Sequence, residues 1–335
     1  MRLAEETGDP ALLVQACEAQ GWPRLWLGDL VTTRLHVERG IELYKPEQHR
    51  THAFRTWQDP KMACLSVAAL TLWELGYPQQ ALKRSQESLR LVRELSHTYS
   101  LAAGFGFAAM LSQLRRDTQE AREQAEMAIS LATEHGFLQV LAFSTVFHGW
   151  ALADQGQEQD GIEQLTRGIE TWKASGAGAA VNWFLTMLAE AYGSIGQYDA
   201  GLMAVAEALN HATNTGERFY EAEIYRLKGE LTLQHWSVVS SQLSVPNPRH
   251  LAPNTQTEAE RETEECFLQA IDIARKQQAK SLELRATMSL ARLWRQQGKR
   301  ADAHQMLSEV YNWFTEGFDT KDLQEAKVLL EELSQ

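Results

Sequence analysis

The 335 residues carry 44% hydrophobic side chains, 44 Asp and Glu against 32 Lys and Arg, and only 8 prolines. A net charge of −12 repels a phosphate backbone and no Lys/Arg run makes a local exception, so nucleic acid is excluded as the expected partner. Abundant Ala, Leu, Glu and Gln with so little Pro favour helix over sheet, and the chain is predicted to be all-α.

In chain order, MRLAEETGDP sets Glu5, Glu6 and Asp9 where an export signal needs an apolar core. RLAEETGDPALL reads as the tail of a preceding hairpin, so the chain is expected to be cut from something larger. Cys17, Cys64 and Cys266 are far apart and lack CxxC or Cys/His spacing, which argues against a disulfide framework or a zinc site and fits a reducing cytoplasm. PEQHRTHAF, with His49 and His52 beside Arg50 and Arg55, lies in an eight-residue excess between the small positions Thr33 and Ala81. It is expected to be a connector that caps helix ends, with an anion-gripping loop as the alternative. The run VLAFSTVFHGWALA at 140–153 is too short to cross a bilayer and reads as a buried helix. WSVVSSQLSVPNPRHLAPNTQT, 236–257, holds three prolines and several Ser, Asn and Thr, and is predicted to be an inserted flexible loop. Gly317 breaks the last long helix, and 319–335 reads as a capping helix with Leu323, Ala326 and Leu330 on one face and Asp322, Glu325 and Glu332 facing water.

A turn recurs along this path: ELGYPQQA (74–81), DQGQEQDG (154–161), SIGQYDAG (194–201) and RQQGKRADA (295–303). In the third, Gly196 closes one helix and Asp199 is read as opening the next. The small residue five positions after each turn falls at Ala81, Ala121, Gly161 and Gly201, steps of 40. Gly201 and Ala303 are 102 apart, which leaves 22 residues beyond two periods and matches the loop at 236–257. Turn glycines keep the same register at Gly28, Gly76, Gly156, Gly196 and Gly298, with Arg116 as the exception. Seven residues beyond the first small position a second one recurs, at Ser88, Ala128, Gly168, Ala208 and Ala270. Small residues on one helix face let a neighbouring helix approach closely, so each period is read as one helical hairpin stacked on the next.

No reaction centre emerges from the residues. The histidines lack metal spacing, REQAE and AERETEE mix both charge signs as solvated helix faces do, and GKRADA at 298–303 lacks the glycine and the Ser/Thr of a phosphate loop. The chain is therefore expected not to be an enzyme and to hold no cofactor or metal.

LAEAY (188–192), with Leu188 and Tyr192, and AREQAEMA (121–128), with Ala121, Ala125 and Ala128, resemble the two helices of the tetratricopeptide repeat. The resemblance implies one right-handed superhelical solenoid over 1–335, about seven antiparallel hairpins of about 40 residues each. GIELYKPEQHR, QDPKMACLS, ELGYPQQAL, YRLKGELTL, AKSLELRATMSLARLW and WFTEGFDTKDLQEAK are similar to the C-terminal array of bacterial proteins that join a nucleotide cyclase or kinase to an ATPase module. That likeness implies a sensory or regulatory array that binds a protein or peptide and acts on an attached or partner enzyme. In the repeat's register the concave face would be lined by Trp22, Trp26, Trp73, Met110, Phe143, Trp150 and Trp183, then by Glu190, Arg226, Glu230, Arg292 and Arg295. Aromatic and Met side chains suit interface anchors, and equally suit the core between hairpins. A sugar-like effector is the alternative ligand, on a resemblance in repeat type to maltose-type transcription activators.

Overall fold

The computed structural model describes residues 2–45, 58–242 and 257–335. Among them every regular element is helical, sixteen helices in all. The chain divides into two compact units, Met1–Ala180 and Val181–Gln335. The first holds α1 (Arg2–Thr7) and four hairpins: α2 (Pro10–Trp26) with α3 (Leu30–Leu43), α4 (Pro60–Glu74) with α5 (Pro78–Leu95), α6 (Thr98–Leu114) with α7 (Thr118–His135), and α8 (Leu138–Asp154) with α9 (Glu158–Ala174). The second holds α10 (Val181–Ser194) with α11 (Tyr198–Thr215), α12 (Glu221–Gln242) with α13 (Glu258–Gln277), α14 (Lys280–Gln296) with α15 (Arg300–Tyr311), and a final α16 (Lys321–Leu333).

The periodic turns end helices by a repeated backbone device. Gly76, Ser96, Arg116, Gly136, Gly156, Gly176, Gly196 and Gly216 all have positive φ, one every twenty residues, and the series resumes at Gln278, Gly298 and Gly317. At these positions the chain leaves the helix in the left-handed region, and at most of them the next residue's N–H satisfies an orphan carbonyl five residues before it. The Tyr77 N–H donates to the Leu72 carbonyl at 2.8 Å, and the same bond recurs from Asp117 to Ser112 (2.9 Å), Gln157 to Leu152 (2.9 Å), Gln197 to Tyr192 (3.0 Å) and Lys299 to Trp294 (2.8 Å). Arg116, the exception in the glycine register, takes the same conformation with φ of 58°.

Within each unit, a first helix packs on its own partner and on the neighbouring first helices of that unit, so it is enclosed on several sides. All of α4 except Lys61 is buried. Each second helix lies on one side only and is amphipathic: α7 buries Ala121, Gln124, Ala125, Ala128 and Ala132 while Glu123 and Glu126 stay in water. The backbones of α8 and α9 approach closely. A Cβ on Gly161 would lie 2.7 Å from both the Ala153 nitrogen and the Gly149 oxygen.

Two local expectations need adjusting. Residues 236–242 continue α12 as helix rather than beginning a loop, and 243–256 lie outside the described residues, as do His49, Arg50, His52 and Arg55. Asp199 does not cap α11; Gln197 holds that position and Asp199 sits in the first turn, where its charge suits the helix N-terminus. Side-chain caps occur elsewhere, at Asp9, Asp29, Asp59 and Asp117, with a full capping box between Thr257 and Glu260.

Candidate functional site

In the first unit, Glu18, Trp22 and Trp26 stand four residues apart on α2 and share one face. Trp22 stacks on Trp26, ring centroids 6.2 Å apart at 18°, and meets Phe107 of α6 at 5.1 Å. Phe107 meets Phe143 of α8 edge-on at 5.8 Å, and Phe143 meets Trp172 of α9 at 5.6 Å. Trp22, Trp26 and Phe107 remain partly exposed, whereas Phe143 is buried, as are Trp73, Met110 and Trp150. These four fill gaps around enclosed first helices and, as they stand, present packing area rather than contact surface. Trp183, fully buried in the second unit, is clasped by Phe219 (5.3 Å) and Tyr220 (4.9 Å) in the same way.

Polar groups gather at the start of α4. Glu18 accepts a hydrogen bond from Gln58 Nε2 at 2.9 Å. Asp59 caps α4 by accepting from the Met62 N–H (2.9 Å), and it also accepts from the Tyr44 hydroxyl (2.8 Å). Its own N–H donates to Ser100 Oγ at 2.9 Å, which lies 2.8 Å from His97 Nδ1. Burial pushes the Glu18 carboxyl up to about 7, with a contribution from the nearby Asp59 charge and against the Gln58 bond. Burial likewise raises Asp59, opposed by its hydrogen bonds and Lys61.

In the second unit the corresponding helices carry an ion-pair ladder. Arg226 of α12 binds Glu223 (2.8 Å) and Glu230 (2.5 Å) on its own helix and reaches Ser289 Oγ of α14 at 3.4 Å, while Ser289 donates to Glu230 at 2.8 Å. Arg285 of α14 donates to Asp322 of α16 at 2.8 Å and lies 4.0 Å from Glu223. Further along, Arg292 pairs with Glu325 at 3.4 Å and Arg295 with Glu332. Burial alone would depress the Arg226 and Arg285 guanidiniums, but the surrounding carboxylates outweigh it and hold both above the usual range. Glu190 of α10 is exposed and adds to the field on Arg226.

Sequence reading named Glu190, Arg226, Glu230, Arg292 and Arg295 but missed Glu223, Arg285, Ser289 and Asp322. Asp322, expected to face water, is buried, because Arg285 offers it a charged hydrogen bond across the helix pair. The available signal was periodic: arginines at 285, 292 and 295 and acids at 322, 325 and 332 repeat at helical spacing on α14 and α16. Among the described residues, no three His, Cys, Asp or Glu side chains stand together as a metal site, and no helix is long and apolar enough to cross a membrane. What the two faces offer is contact: rings in one unit, paired charges in the other.

No family model matches the chain. It is 24% identical over 208 residues, 61% of its length, to an uncharacterised protein of Rhizobium meliloti (strain 1021), and spans only 20% of that protein. Among solved structures, a Rap protein complexed with Competence and Sporulation Factor superposes with a TM-score of 0.59 at 11% identity, covering 96% of this chain and 80% of that one. The apo form of RapI superposes with a TM-score of 0.52 at 10% identity, covering 95% and 99%. The fold is tetratricopeptide-like.

Proposed function

We propose that the chain is a non-catalytic array that binds a protein or peptide segment along its first-helix faces and regulates an attached or partner signalling enzyme of the cyclase or ATPase type. The observation that carries this reading is the ladder on α12, α14 and α16, where Arg292, Arg295, Glu325 and Glu332 keep between a third and a half of their surface in water while Glu223, Arg285 and Asp322 of the same ladder are buried. A rigid row of alternating charge recognises an extended polar backbone and its side chains, and has no group poised for proton or group transfer. Support comes from the Rap structure, whose own complex holds Competence and Sporulation Factor. The regulatory half rests on the six stretches that are similar to the arrays of bacterial cyclase and ATPase proteins.

Isothermal titration of the purified chain with a panel of extended peptides of varied charge, beside a panel of sugars, tests the reading. A peptide that binds and loses about tenfold affinity in the Arg292→Ala/Arg295→Ala double variant supports it. Saturable sugar binding without any peptide binding replaces it with the small-molecule sensor, for which the partly exposed Trp22–Trp26 stack is the favouring observation. Assay of a longer polypeptide containing an enzyme module, with and without this array, tests the regulatory part.

A further inference from the structure

We infer that the Glu18–Trp22 face of α2 receives one basic side chain, lysine or arginine, of a bound peptide. The inference rests on the peptide-binding reading and adds the chemistry of one subsite to it.

Trp22 contacts two other rings, Trp26 at 6.2 Å and Phe107 at 5.1 Å, and keeps part of its own surface in water. A ring so held presents a fixed face to a cation, without the entropy of ordering a mobile side chain. One helical turn away, Glu18 accepts a single hydrogen bond among the described residues, from Gln58. The charged group that bears on it is another acid, Asp59. Among the described residues, the bases on the helices around it are engaged elsewhere, His97 of α6 with Ser100 at 2.8 Å among them. Arg24 lies 2.5 Å from Gln20 and 4.0 Å from Asp29, Arg39 pairs with Glu5 at 3.2 Å, and Arg34 stands 5.2 Å over the Tyr77 ring. Lys61 pairs with Glu87 at 3.5 Å and stands 5.7 Å over Tyr44, and the nearby His36 on α3 is pushed down by burial and by Arg24 and Arg39.

The result, among the described residues, is an acid without a cation beside a fixed aromatic ring. The raised Glu18 carboxyl, about 7, measures what burial costs its charged form, and an incoming cation offsets that cost. A basic side chain fits because its aliphatic stem lies along the ring while its head reaches the carboxyl. An inorganic divalent ion fits poorly, since Asp59 already serves the Met62 N–H and the Tyr44 hydroxyl and too few oxygens remain.

The test follows indole N–H resonances of the 15N-labelled chain during titration with N-acetyl-lysine methylamide, its norleucine counterpart and tetramethylammonium chloride. The Trp22 signal, assigned through Trp22→Phe, is expected to shift saturably with the lysine compound and at least tenfold more weakly with norleucine. Glu18→Gln is expected to weaken lysine binding at least fivefold, and Trp22→Leu provides a second loss should Glu18→Gln fail to fold. Raising the pH from 5 to 8 should tighten binding to the wild-type chain and leave Glu18→Gln unmoved, because the cation must displace the proton held by Glu18. Equal response to lysine and norleucine, or lysine binding that ignores both variants, overturns the inference. So does tetramethylammonium binding as tight as lysine, which would make the subsite one for small free cations. If peptides bind the chain but none of these effects occurs, this subsite is wrong and the broader reading stands; if the lysine compound behaves as expected but no peptide binds, the broader reading fails instead.

Discussion

Burial of Glu18 also has a thermodynamic signature. Its folded carboxyl titrates at about 7 against an ordinary value of 4.5, so the folded chain holds a proton that the unfolded chain has lost. Its contribution to stability is therefore fully present below pH 4.5, declines as pH rises, and is gone above pH 7. The loss is on the order of 3 kcal/mol at most. Glu18→Gln should accordingly unfold at higher urea than wild type at pH 8, with the gap closing towards pH 4. Arg116 shows a second residue-scale effect, a side chain with φ of 58° where the equivalent turns at 76, 156 and 196 have glycine. Arg116→Gly should raise stability by about 0.5–1 kcal/mol in urea melts, because glycine meets no Cβ clash there. The glycine register exposed the Arg116 turn in the sequence; the raised Glu18 carboxyl was not legible, since the burial comes from α4 and its start rather than from neighbours on α2.

Pairs of helices are joined by two opposite devices. Between α8 and α9 the device is absence of bulk, and Gly161→Ala would set a Cβ 2.7 Å from backbone atoms that cannot move alone. It should destabilise by about 1–3 kcal/mol, read as a lower urea midpoint with unchanged slope. Between α14 and α16 the device is charge. Asp322→Ala leaves the buried Arg285 facing an empty place and should cost about 3–5 kcal/mol, while Arg285→Met/Asp322→Leu together should recover most of that loss. Small residues at Gly161, Gly168 and Ala128 announced the first device in the sequence by recurring forty residues apart or seven along a helix. The second escaped because an acid in an amphipathic pattern reads as solvated until its partner's position is known.

Across the molecule, burial alternates helix by helix: first helices are enclosed and second helices present one face to water. Amide hydrogen exchange should follow this order, with α4, α6 and α8 protected longer than α7, since opening an enclosed helix breaks packing on several sides. Uniform protection across both kinds of helix would contradict it. The amino-acid sequence by itself determined the all-α class, the hairpin period and the places where helices stop. These are local matters, set by backbone freedom at one residue and by side-chain size at fixed intervals, and locality is what a linear pattern records. Which of the large residues meet solvent was decided by tertiary structure alone. Trp22 and Trp150 hold equivalent places in the repeat, eleven residues before Thr33 and Gly161, yet one keeps exposed surface and the other is buried. Exposure depends on how closely the neighbouring helices approach, and that distance is a property of the packed array rather than of any one segment.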